Sequence, residues 1–342
     1  MIKQNMQFSK SDAAVYLLEQ AMGFTYQAAL RAAAVLGIAD YLRDGEKTAD
    51  ELGKYVNADG ARLYRVMRML ASKGIFEETR EGYFSLNPAS EFLITDASHS
   101  LRSAVLMLTD ETFWLPLGNL VESLRSETYF KDLFGVPFYE YWSNKRNNRE
   151  GYNFHSGMSS MSSVENTFFV RSYEFPENAT VVDIAGGSGG LLLEVLRGNP
   201  TLHGILFDQA EVMAENRLGE LGDESRWKTV SGSFFEACPE ADIYILKYIT
   251  MDWPKEKALS ILQCCRKAMR ENSRLLIVEP IIPKGNIEHG GNSIDLLLLG
   301  SFDGGQTRTE VELSELLGGA GLKLNRVIET GCYLSIVEAV IA

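Results

Sequence analysis

The sequence predicts an α/β protein in which a doubly wound C-terminal domain follows a mostly helical N-terminal domain. Beyond Pro176, strand-like apolar runs alternate with helix-like segments, which is the pattern of a mostly parallel sheet with crossover helices. A run of small residues joins the first of these strands to the next helix, and such a turn lets a ligand approach the backbone. The length of 342 residues suits two domains, each large enough to bury an apolar core.

The composition is that of a globular protein and disfavours several classes of function. Hydrophobic residues make up 45% of the chain and charged residues 23%. The formal net charge of -13 opposes binding to nucleic acid or anionic membranes, because phosphate binding requires clustered basic residues. We predict no membrane span and a cytoplasmic location, since the apolar runs are too short to cross a bilayer and no signal-peptide core is present. Scattered histidines and cysteines predict no metal site.

The N-terminal domain is predicted over residues 1–100, where helices are followed by a small hairpin. Apolar residues recur at helical spacing in residues 28–36, Thr48 begins a capping box, and residues 61–72 form a basic helix. Two short strand-like runs follow Gly74 and complete a winged-helix outline. The basic helix is open to two interpretations, a DNA-reading helix or a scaffold that packs or dimerises. The acidic composition of the chain favours the scaffold.

A helical connector is predicted over residues 101–172, and it is rich in aromatic residues and methionine. Side chains of this kind usually form core, and they equally suit the wall of an apolar pocket for a flat ligand. The doubly wound domain is predicted over residues 173–342. Its strands are expected at residues 180–184, 204–207, 243–246 and 274–279, with an antiparallel finish at 322–327 and 334–339.

The turn within residues 181–190 carries Asp183 before its glycines, and Asp208 ends the next strand about twenty residues later, where a carboxylate can accept hydrogen bonds from ribose hydroxyls. A P-loop is disfavoured because no Gly-Lys-Ser/Thr follows, and a dinucleotide fingerprint because Leu192 stands where a third glycine is needed. Asp183 would repel a pyrophosphate but supports a cationic ligand, and S-adenosylmethionine (SAM) carries a sulfonium and an ammonium group. A tight turn without a ligand explains the glycines but not the two aspartates.

Six segments in order resemble the caffeate and hydroxyindole O-methyltransferase family, including its bacterial phenazine- and anthracycline-tailoring members. The winged-helix outline fits the same family, so the resemblance covers nearly the whole chain. Any one segment is weak by itself, whereas six in order are specific. The segments are Val181-Val182-Asp183-Ile184-Ala185-Gly186-Gly187-Ser188-Gly189-Gly190, Leu206-Phe207-Asp208-Gln209, Ser231-Gly232-Ser233-Phe234-Phe235, Lys247-Tyr248-Ile249-Thr250-Met251-Asp252-Trp253, Val278-Glu279-Pro280 and Gly304-Gly305-Gln306-Thr307-Arg308-Thr309.

The resemblance implies a Rossmann-like class I methyltransferase domain that binds SAM, and an N-terminal domain through which two copies interlock as a homodimer. It also implies a small aromatic or polyketide substrate held between the domains. The residues that it assigns to SAM, from the methionine portion to the ribose, the adenine and the outer edge, are Asp183, Ala185, Gly186, Gly187, Gly189, Asp208, Ser233, Phe234 and Lys247. Those that it assigns to the substrate are Trp114, Phe154, Met158, Met251 and Phe302.

The chain departs from the family pattern most at the catalytic base. The family's Leu-His-Asp-Trp segment supplies a histidine that deprotonates the acceptor hydroxyl, and Met251 stands at that position. A thioether does not accept a phenolic proton usefully. Thr307 replaces the glutamate that often orients this histidine, whereas Glu279, the other family carboxylate, remains. On the cofactor side, Ser233 replaces an aspartate and Ala185 replaces the first glycine.

Several reactions remain open to such a chain. Methyl transfer by proximity alone suits an acidic phenol or enol that is partly ionised near neutral pH, and a phenazine-like ring nitrogen needs no deprotonation. A relocated base is a second alternative, with Asp252, Glu279, His155 and Asp303 as candidates. Of these, His155 and Asp303 rank first because they adjoin family substrate-lining positions. A third alternative is a SAM-binding protein that transfers no methyl group, such as a pericyclase or a hydroxylase/decarboxylase-like relative. We favour O-methylation.

Overall fold

The computed structural model describes residues 9–126, 129–143 and 154–342. The chain divides into two compact units, of which the first comprises Met1–Glu111 and Lys145–Met161 and the second Thr112–Asn144 and Ser162–Ala342. The segment predicted as a connector is therefore shared between the two units. None of the helices in the described ranges combines the length and the apolar character that crossing a membrane requires.

The first unit contains short helices and a small antiparallel sheet in the order β1-β3-β2, so the predicted succession of helices and hairpin is confirmed. Its helices are α1 (Lys10–Ala21), α2 (Phe24–Leu36), α3 (Ile38–Tyr41), α4 (Ala49–Val56), α5 (Gly60–Ser72) and α6 (Arg102–Leu108). Its strands are β1 (Lys47–Thr48), β2 (Glu77–Arg80) and β3 (Tyr83–Ser85).

Local sequence signals explain where these helices begin and what they bury. Thr48 and Glu51 form the predicted capping box at the start of α4. The basic helix α5 buries Leu63, Met67 and Leu70, which lie at helical spacing on one face and join the core of this unit. In contrast, α1 buries none of its residues and exposes several large apolar side chains.

The second unit is built on a sheet that, among the described residues, has seven strands in the order β6-β5-β4-β7-β8-β10-β9. The first five strands of this order run parallel, and β10 pairs antiparallel with both of its neighbours. The strands are β4 (Thr180–Ile184), β5 (His203–Asp208), β6 (Trp227–Ser231), β7 (Ile243–Lys247), β8 (Arg274–Glu279), β9 (Leu322–Glu329) and β10 (Ser335–Ile341).

The helices after α6 lie in the second unit or reach into it. They are α7 (Glu111–Gly118), α8 (Leu120–Ser123), α9 (Tyr129–Phe134), α10 (Phe138–Ser143), α11 (Phe154–Ser172), α12 (Gly190–Gly198), α13 (Ala210–Met213), α14 (Lys255–Ala268), α15 (Gly291–Ser301) and α16 (Glu310–Gly319). The first residues of α11, up to Met161, belong to the first unit and the remainder to the second.

The central strands are almost entirely buried, as expected of parallel strands whose two faces are both covered. Core residues of β4, β7 and β8, such as Val182, Leu246 and Ile277, share one apolar cluster with helix residues such as Ile261 and Leu313. The strand order reverses between β4 and β7, because β5 and β6 extend the sheet one way and β8 the other. A ligand crevice is expected at the carboxyl ends of the strands at this switch point.

The strands β1 and β6 were not predicted from the sequence, and β2 lies at Glu77–Arg80 rather than at the expected residues 75–76, whereas the other strands were predicted. The edge strand β6 pairs only with β5 and leaves Lys228 and Thr229 exposed. It has no continuous apolar run or clean alternation, because one of its edges and much of its surface face solvent. The antiparallel finish is confirmed by β9 and β10, whose pairing shifts register at Glu338 and Ala339.

Candidate active site

The turn after β4 is a left-handed backbone segment that binds its neighbouring strand through main-chain groups. Ala185, Gly187 and Gly189 have φ values of 57°, 60° and 77°, which side chains generally disfavour. The Ala185 amide donates to the Phe207 carbonyl over 2.7 Å. A Cβ added to Gly187 would meet no atom within 4 Å, so this part of the turn borders open space.

Asp208 lies at the end of β5, beside this turn. Its Oδ2 accepts a hydrogen bond from the Gly187 amide at 2.9 Å, and its Oδ1 accepts one from the Gln209 amide at 2.7 Å. Each carboxylate oxygen can accept a second hydrogen bond. The backbone therefore holds this carboxylate in one orientation and leaves it able to accept from two further donors.

Asp183 is buried at the end of β4, and its Oδ2 has no hydrogen-bond partner among the described residues. Burial raises the pKa of Asp183 to about 7, although the charge of Lys247 lowers it and that of Asp208 raises it further. A Cβ on Gly186 would come within 2.6 Å of the same Oδ2, so the carboxyl group lies directly against the turn. An unpaired buried carboxyl beside an open turn fits a cationic ligand group.

The segment after β6 brings the predicted adenine-binding residues next to the sheet. Gly232 is held to β5, since its amide donates to the Asp208 carbonyl over 3.1 Å. Ser233 and Phe234 are both partly buried. The Phe234 ring packs edge-on against the Trp253 indole, with ring centroids 6.3 Å apart. The segment after β6 and the segment after β7 are therefore joined through this aromatic contact.

Lys247, at the end of β7, is engaged by α11. Its Nζ donates to Ser162 Oγ at 3.0 Å and Asn166 Oδ1 at 2.9 Å, and it pairs with Glu165 Oε2 at 2.8 Å. Two of the three ammonium donors are used in these hydrogen bonds, and the contact with Glu165 is an ion pair in which Oε2 accepts no hydrogen bond from the described residues. The structure thus places Lys247 in a buried link between β7 and α11.

Glu165 was not identified from the sequence, although it is the centre of this buried group. Its Oε1 accepts hydrogen bonds from the hydroxyls of Tyr248, at 2.7 Å, and Tyr333. The two tyrosines come from the end of β7 and from the turn between β9 and β10. No sequence signal marks Glu165, because it lies inside an aromatic and methionine-rich helical segment that reads as core.

The segment after β7 carries Met251 at the position of the family histidine, and it is held by buried polar side chains. The Thr250 hydroxyl donates to the Glu279 carboxylate, and its Oγ1 lies 2.8 Å from Oε1 and 2.9 Å from Oε2. The Arg308 guanidinium donates to the carbonyls of Thr250, at 2.8 Å, and Trp253, at 3.1 Å. Met251 itself is buried. Burial raises the pKa of Glu279, while the Thr250 hydroxyl and the Arg308 charge lower it.

Asp252 accepts a hydrogen bond from the hydroxyl of Tyr139, a residue of α10 that the sequence analysis did not select. Burial raises the pKa of Asp252 to about 7, the hydrogen bond from Tyr139 lowers it, and the charge of Glu279 raises it. A carboxyl group that titrates near neutral pH is suited to accept a proton. Asp252 and Glu279 are the two predicted base candidates that the structure brings to the ends of β7 and β8.

The other two predicted base candidates are exposed. His155 lies in the first unit, near the start of α11. Asp303 lies in the turn after α15, ahead of Gly304, whose φ of 79° needs a glycine. Partial burial of its carboxyl group raises the pKa of Asp303, although the residue as a whole is exposed.

The predicted substrate residues are divided between the two units. Phe154, which is buried, and Met158 belong to the first unit. Trp114, Met251 and Phe302 belong to the second. Phe302 stacks on Phe138 of α10, with ring centroids 4.3 Å apart, and Trp114 lies on α7 and is partly buried.

Thr307, which replaces the family glutamate, is bound to a carboxylate from α15. Its amide and its hydroxyl both donate to Asp295 Oδ1, each at 2.8 Å. Asp295 was not selected from the sequence, because a single aspartate in an apolar helix carries no spacing signal. The position of the lost glutamate is therefore tied to a different acidic residue.

The sulfur atoms and acidic side chains of the described residues form no evident metal site. The cysteines are free, and the Sγ atoms of Cys238 and Cys265 are 3.8 Å apart. Across residues 9–126, 129–143 and 154–342, no group of three or more histidine, cysteine, aspartate or glutamate side chains is arranged to hold an ion.

Comparison with known proteins relates both parts of the chain to one family. The model of the O-methyltransferase domain matches residues 114–323, and that of the O-methyltransferase dimerisation domain matches residues 18–96. The phenazine O-methyltransferase PhzM of Lysobacter antibioticus is 35% identical over 328 residues, which cover 94% of this chain and 95% of the relative.

Two solved structures extend the comparison to bound ligands. The SAH-bound methyltransferase CalO1 of calicheamicin biosynthesis is 37% identical, with a TM-score of 0.90 over 98% of this chain and all 100% of the other. The O-methyltransferase NcsB1 of neocarzinostatin biosynthesis, in complex with SAM and 2-hydroxy-5-methyl naphthoic acid, is 29% identical. Its TM-score is 0.72, over 92% of this chain and 96% of the other.

Proposed function

The chain belongs to the O-methyltransferase family, and we propose that it methylates a hydroxyl group of an aromatic or polyketide metabolite with Asp252 as the proton acceptor. It is a SAM-dependent O-methyltransferase. The observation that carries the proposal about the proton is the position of Asp252, which is partly buried, directly follows the position of the missing histidine and accepts a hydrogen bond from Tyr139. Desolvation raises its pKa to about 7.

SAM is held, in this proposal, by the three strand ends on the cofactor side. Asp208 accepts from the ribose hydroxyls, since its two oxygens are already oriented by backbone amides. Asp183 supports the ammonium end, because its Oδ2 lacks a partner and lies against the turn. Ser233 and Phe234 contact the adenine. Bound SAM supplies an electrophilic methyl group from its sulfonium.

The acceptor is a flat molecule that carries a phenol or an enol. PhzM is a phenazine enzyme, and NcsB1 is solved with a hydroxynaphthoic acid. The second unit offers aromatic surface for such a ring at Phe302 and Trp114. An ordinary phenol has a pKa of about 10. An acceptor with a more acidic hydroxyl loses its proton more readily to a carboxylate.

Asp252 is preferred over the other candidate bases on geometry. His155 and Asp303 are exposed, and Glu279 already accepts from Thr250 and faces the charge of Arg308. Glu279 therefore serves to hold the segment after β7, and Asp252 receives the proton. His155 and Asp303 adjoin substrate-lining positions along the chain, but both are exposed in the folded protein.

We further propose that the protein acts as a homodimer through its first unit. The dimerisation domain model covers residues 18–96, and α1 exposes apolar side chains while it buries none. Val15, Leu17, Leu18 and Met22 are each more than half exposed, with values of 57%, 68%, 64% and 56%. A second copy would cover such a surface.

Transfer of a labelled methyl group tests this function directly. Purified protein is mixed with methyl-labelled SAM and a panel of hydroxynaphthoates, hydroxyphenazines and polyketide enols, and the products are analysed by mass spectrometry. We expect label on oxygen for at least one acceptor. Bound SAM without label in any product, or label on ring nitrogen alone, would overturn the proposed acceptor class.

The assignment of the base is tested with matched aspartate variants. Asp252→Asn is expected to lower kcat by about 100- to 10,000-fold, the usual contribution of a general base. Asp303→Asn, which removes an exposed carboxylate on the next segment, is expected to leave kcat within a few fold. The reverse pattern would assign the proton to Asp303.

A further inference from the structure

Tyr139, on α10, is the hydrogen-bond partner of the Asp252 carboxylate. The residue as a whole is 39% exposed, and its hydroxyl donates to the Asp252 carboxylate. Burial nevertheless raises the pKa of Tyr139 well above its ordinary value, and the charge of Asp252 adds to this. An accessible ring with a desolvated hydroxyl is expected of a side chain that lines a crevice.

Two aromatic side chains fix the direction of the Tyr139 hydroxyl. The Tyr139 ring stacks on the Trp253 indole at a centroid distance of 6.1 Å and an interplanar angle of 21°. It meets the Phe302 ring edge-on at 5.6 Å. A tyrosine held on two sides has little rotational freedom, so its hydroxyl is preorganised toward Asp252.

The same packing connects Tyr139 to the cofactor side of the sheet. Trp253 contacts Phe234 and Phe235, with centroid distances of 6.3 and 5.1 Å. The charge of Asp208 is close enough to contribute to the raised pKa of Tyr139. Trp253 thus links Tyr139 by ring packing to the segment after β6.

We propose that Tyr139 is a further catalytic residue, whose hydroxyl contacts the acceptor and relays its proton to Asp252. The inference rests on the proposed function. The acceptor O–H bond breaks and its proton moves to the Tyr139 oxygen, while the Tyr139 proton moves to the Asp252 carboxylate. The acceptor oxygen forms a bond to the methyl carbon as the carbon–sulfur bond breaks, which leaves a methyl ether, S-adenosylhomocysteine and one proton on Asp252.

The charged groups that surround the pair set the sign of its pH dependence. The hydrogen bond from Tyr139 lowers the pKa of Asp252, and its removal therefore raises that pKa above about 7. Activity needs an ionised Asp252, so the acid limb of the kcat/KM profile moves to higher pH in Tyr139→Phe. The other charged groups around the pair are Asp208, Lys257, Glu279 and Arg308.

The kinetic test compares acceptors of different acidity. With a phenol that is protonated at the assay pH, Tyr139→Phe is expected to lower kcat by at least about 100-fold. With an acceptor that is already ionised, the loss is expected to shrink to a few fold, because no proton has to be moved. An equal loss for both acceptors would overturn the relay and leave Tyr139 as packing. Tyr141→Phe, on the same helix, is the matched control and should show neither effect.

A second readout does not depend on activity. The carboxyl carbon of Asp252 is titrated by NMR in the wild type, in Tyr139→Phe and in Tyr141→Phe, with Asp252→Asn used to assign its signal. A titration midpoint that rises only in Tyr139→Phe supports the dyad, and an unchanged midpoint overturns it. Absence of methyl transfer by the wild type would count against the proposed acceptor class, and the titration would still decide the pairing of Tyr139 with Asp252.

Discussion

The strand ends on the two sides of the switch point between β4 and β7 are built in different ways. On the cofactor side, at the ends of β4 and β5, the contacts come from backbone amides of Gly187 and Gln209 and from left-handed turn residues. On the acceptor side, after β7 and β8, the contacts are between side chains that come from distant parts of the chain. Backbone contacts tolerate a changed side chain, as Ala185 shows. Side-chain chemistry, in contrast, can move to a neighbour when one residue is replaced.

Each side also holds one carboxyl group whose pKa is raised to about 7 by desolvation, Asp183, which is buried, and Asp252, which is partly buried. Asp183, on the cofactor side, has an oxygen without a partner among the described residues, whereas Asp252, on the acceptor side, is bound by Tyr139. The first arrangement suits a cationic ligand and the second suits a mobile proton. A raised pKa alone therefore does not identify a base. The hydrogen-bond partner of the carboxyl group distinguishes the two cases.

Lys247→Met is expected to have the largest effect, and it tests whether ionic side-chain contacts hold the acceptor side together. This change leaves the buried carboxylate of Glu165 without its cation, and both side chains are nearly inaccessible, at 7% and 6% exposure. The free energy of unfolding is expected to fall by about 3–5 kcal/mol, as for other buried ion pairs that lose one partner. Urea denaturation measures it. Lys228→Met, on the exposed edge strand β6, should change it by less than about 0.5 kcal/mol. A small effect of Lys247→Met would mean that ionic contacts do not hold the acceptor side together.

Asp208→Ala, on the cofactor side, should reduce the affinity for SAM and leave the stability of the fold largely unchanged. Two hydrogen bonds from the ribose to a charged acceptor are worth roughly 3 kcal/mol together, or about 100-fold in the Kd of SAM. Isothermal titration calorimetry measures this loss. Asp223→Ala, which removes an exposed carboxylate that caps Ser225, is the control. An unchanged Kd in Asp208→Ala would refute the assignment of Asp208 to the ribose.

The smallest expected effect distinguishes Asp183 from Asp252. Ionised Asp183 attracts the ammonium group of SAM, so affinity should increase with pH between about 5.5 and 7, by at most tenfold per pH unit. Asp183→Asn should abolish this dependence, whereas Asp252→Asn should retain it. Calorimetric Kd values across this pH range provide the measurement. If Asp252→Asn removes the dependence instead, the two sides of the crevice are not electrostatically distinct.

The fold and the turn that we propose for SAM were visible in the sequence because their signals are local. Apolar runs predicted the buried strands, and the turn with Asp183 and Asp208 lies in one continuous strand-turn-helix-strand stretch. The missing histidine at Met251 was visible for the same reason, since the family segment is contiguous. The strand β6 was missed because an exposed edge strand lacks the apolar periodicity on which the prediction depends.

The sequence by itself thus determined the family, the sheet and the position at which the usual base is absent. Only the tertiary structure decided what lies near that position. Tyr139 and Asp252 are 113 residues apart in the chain, and Lys247 and Glu165 meet only because α11 packs beside β7. Spacing along the chain gives the face on which a side chain lies but not the residue that it meets on another element, because that depends on how separately formed helices and strands pack together.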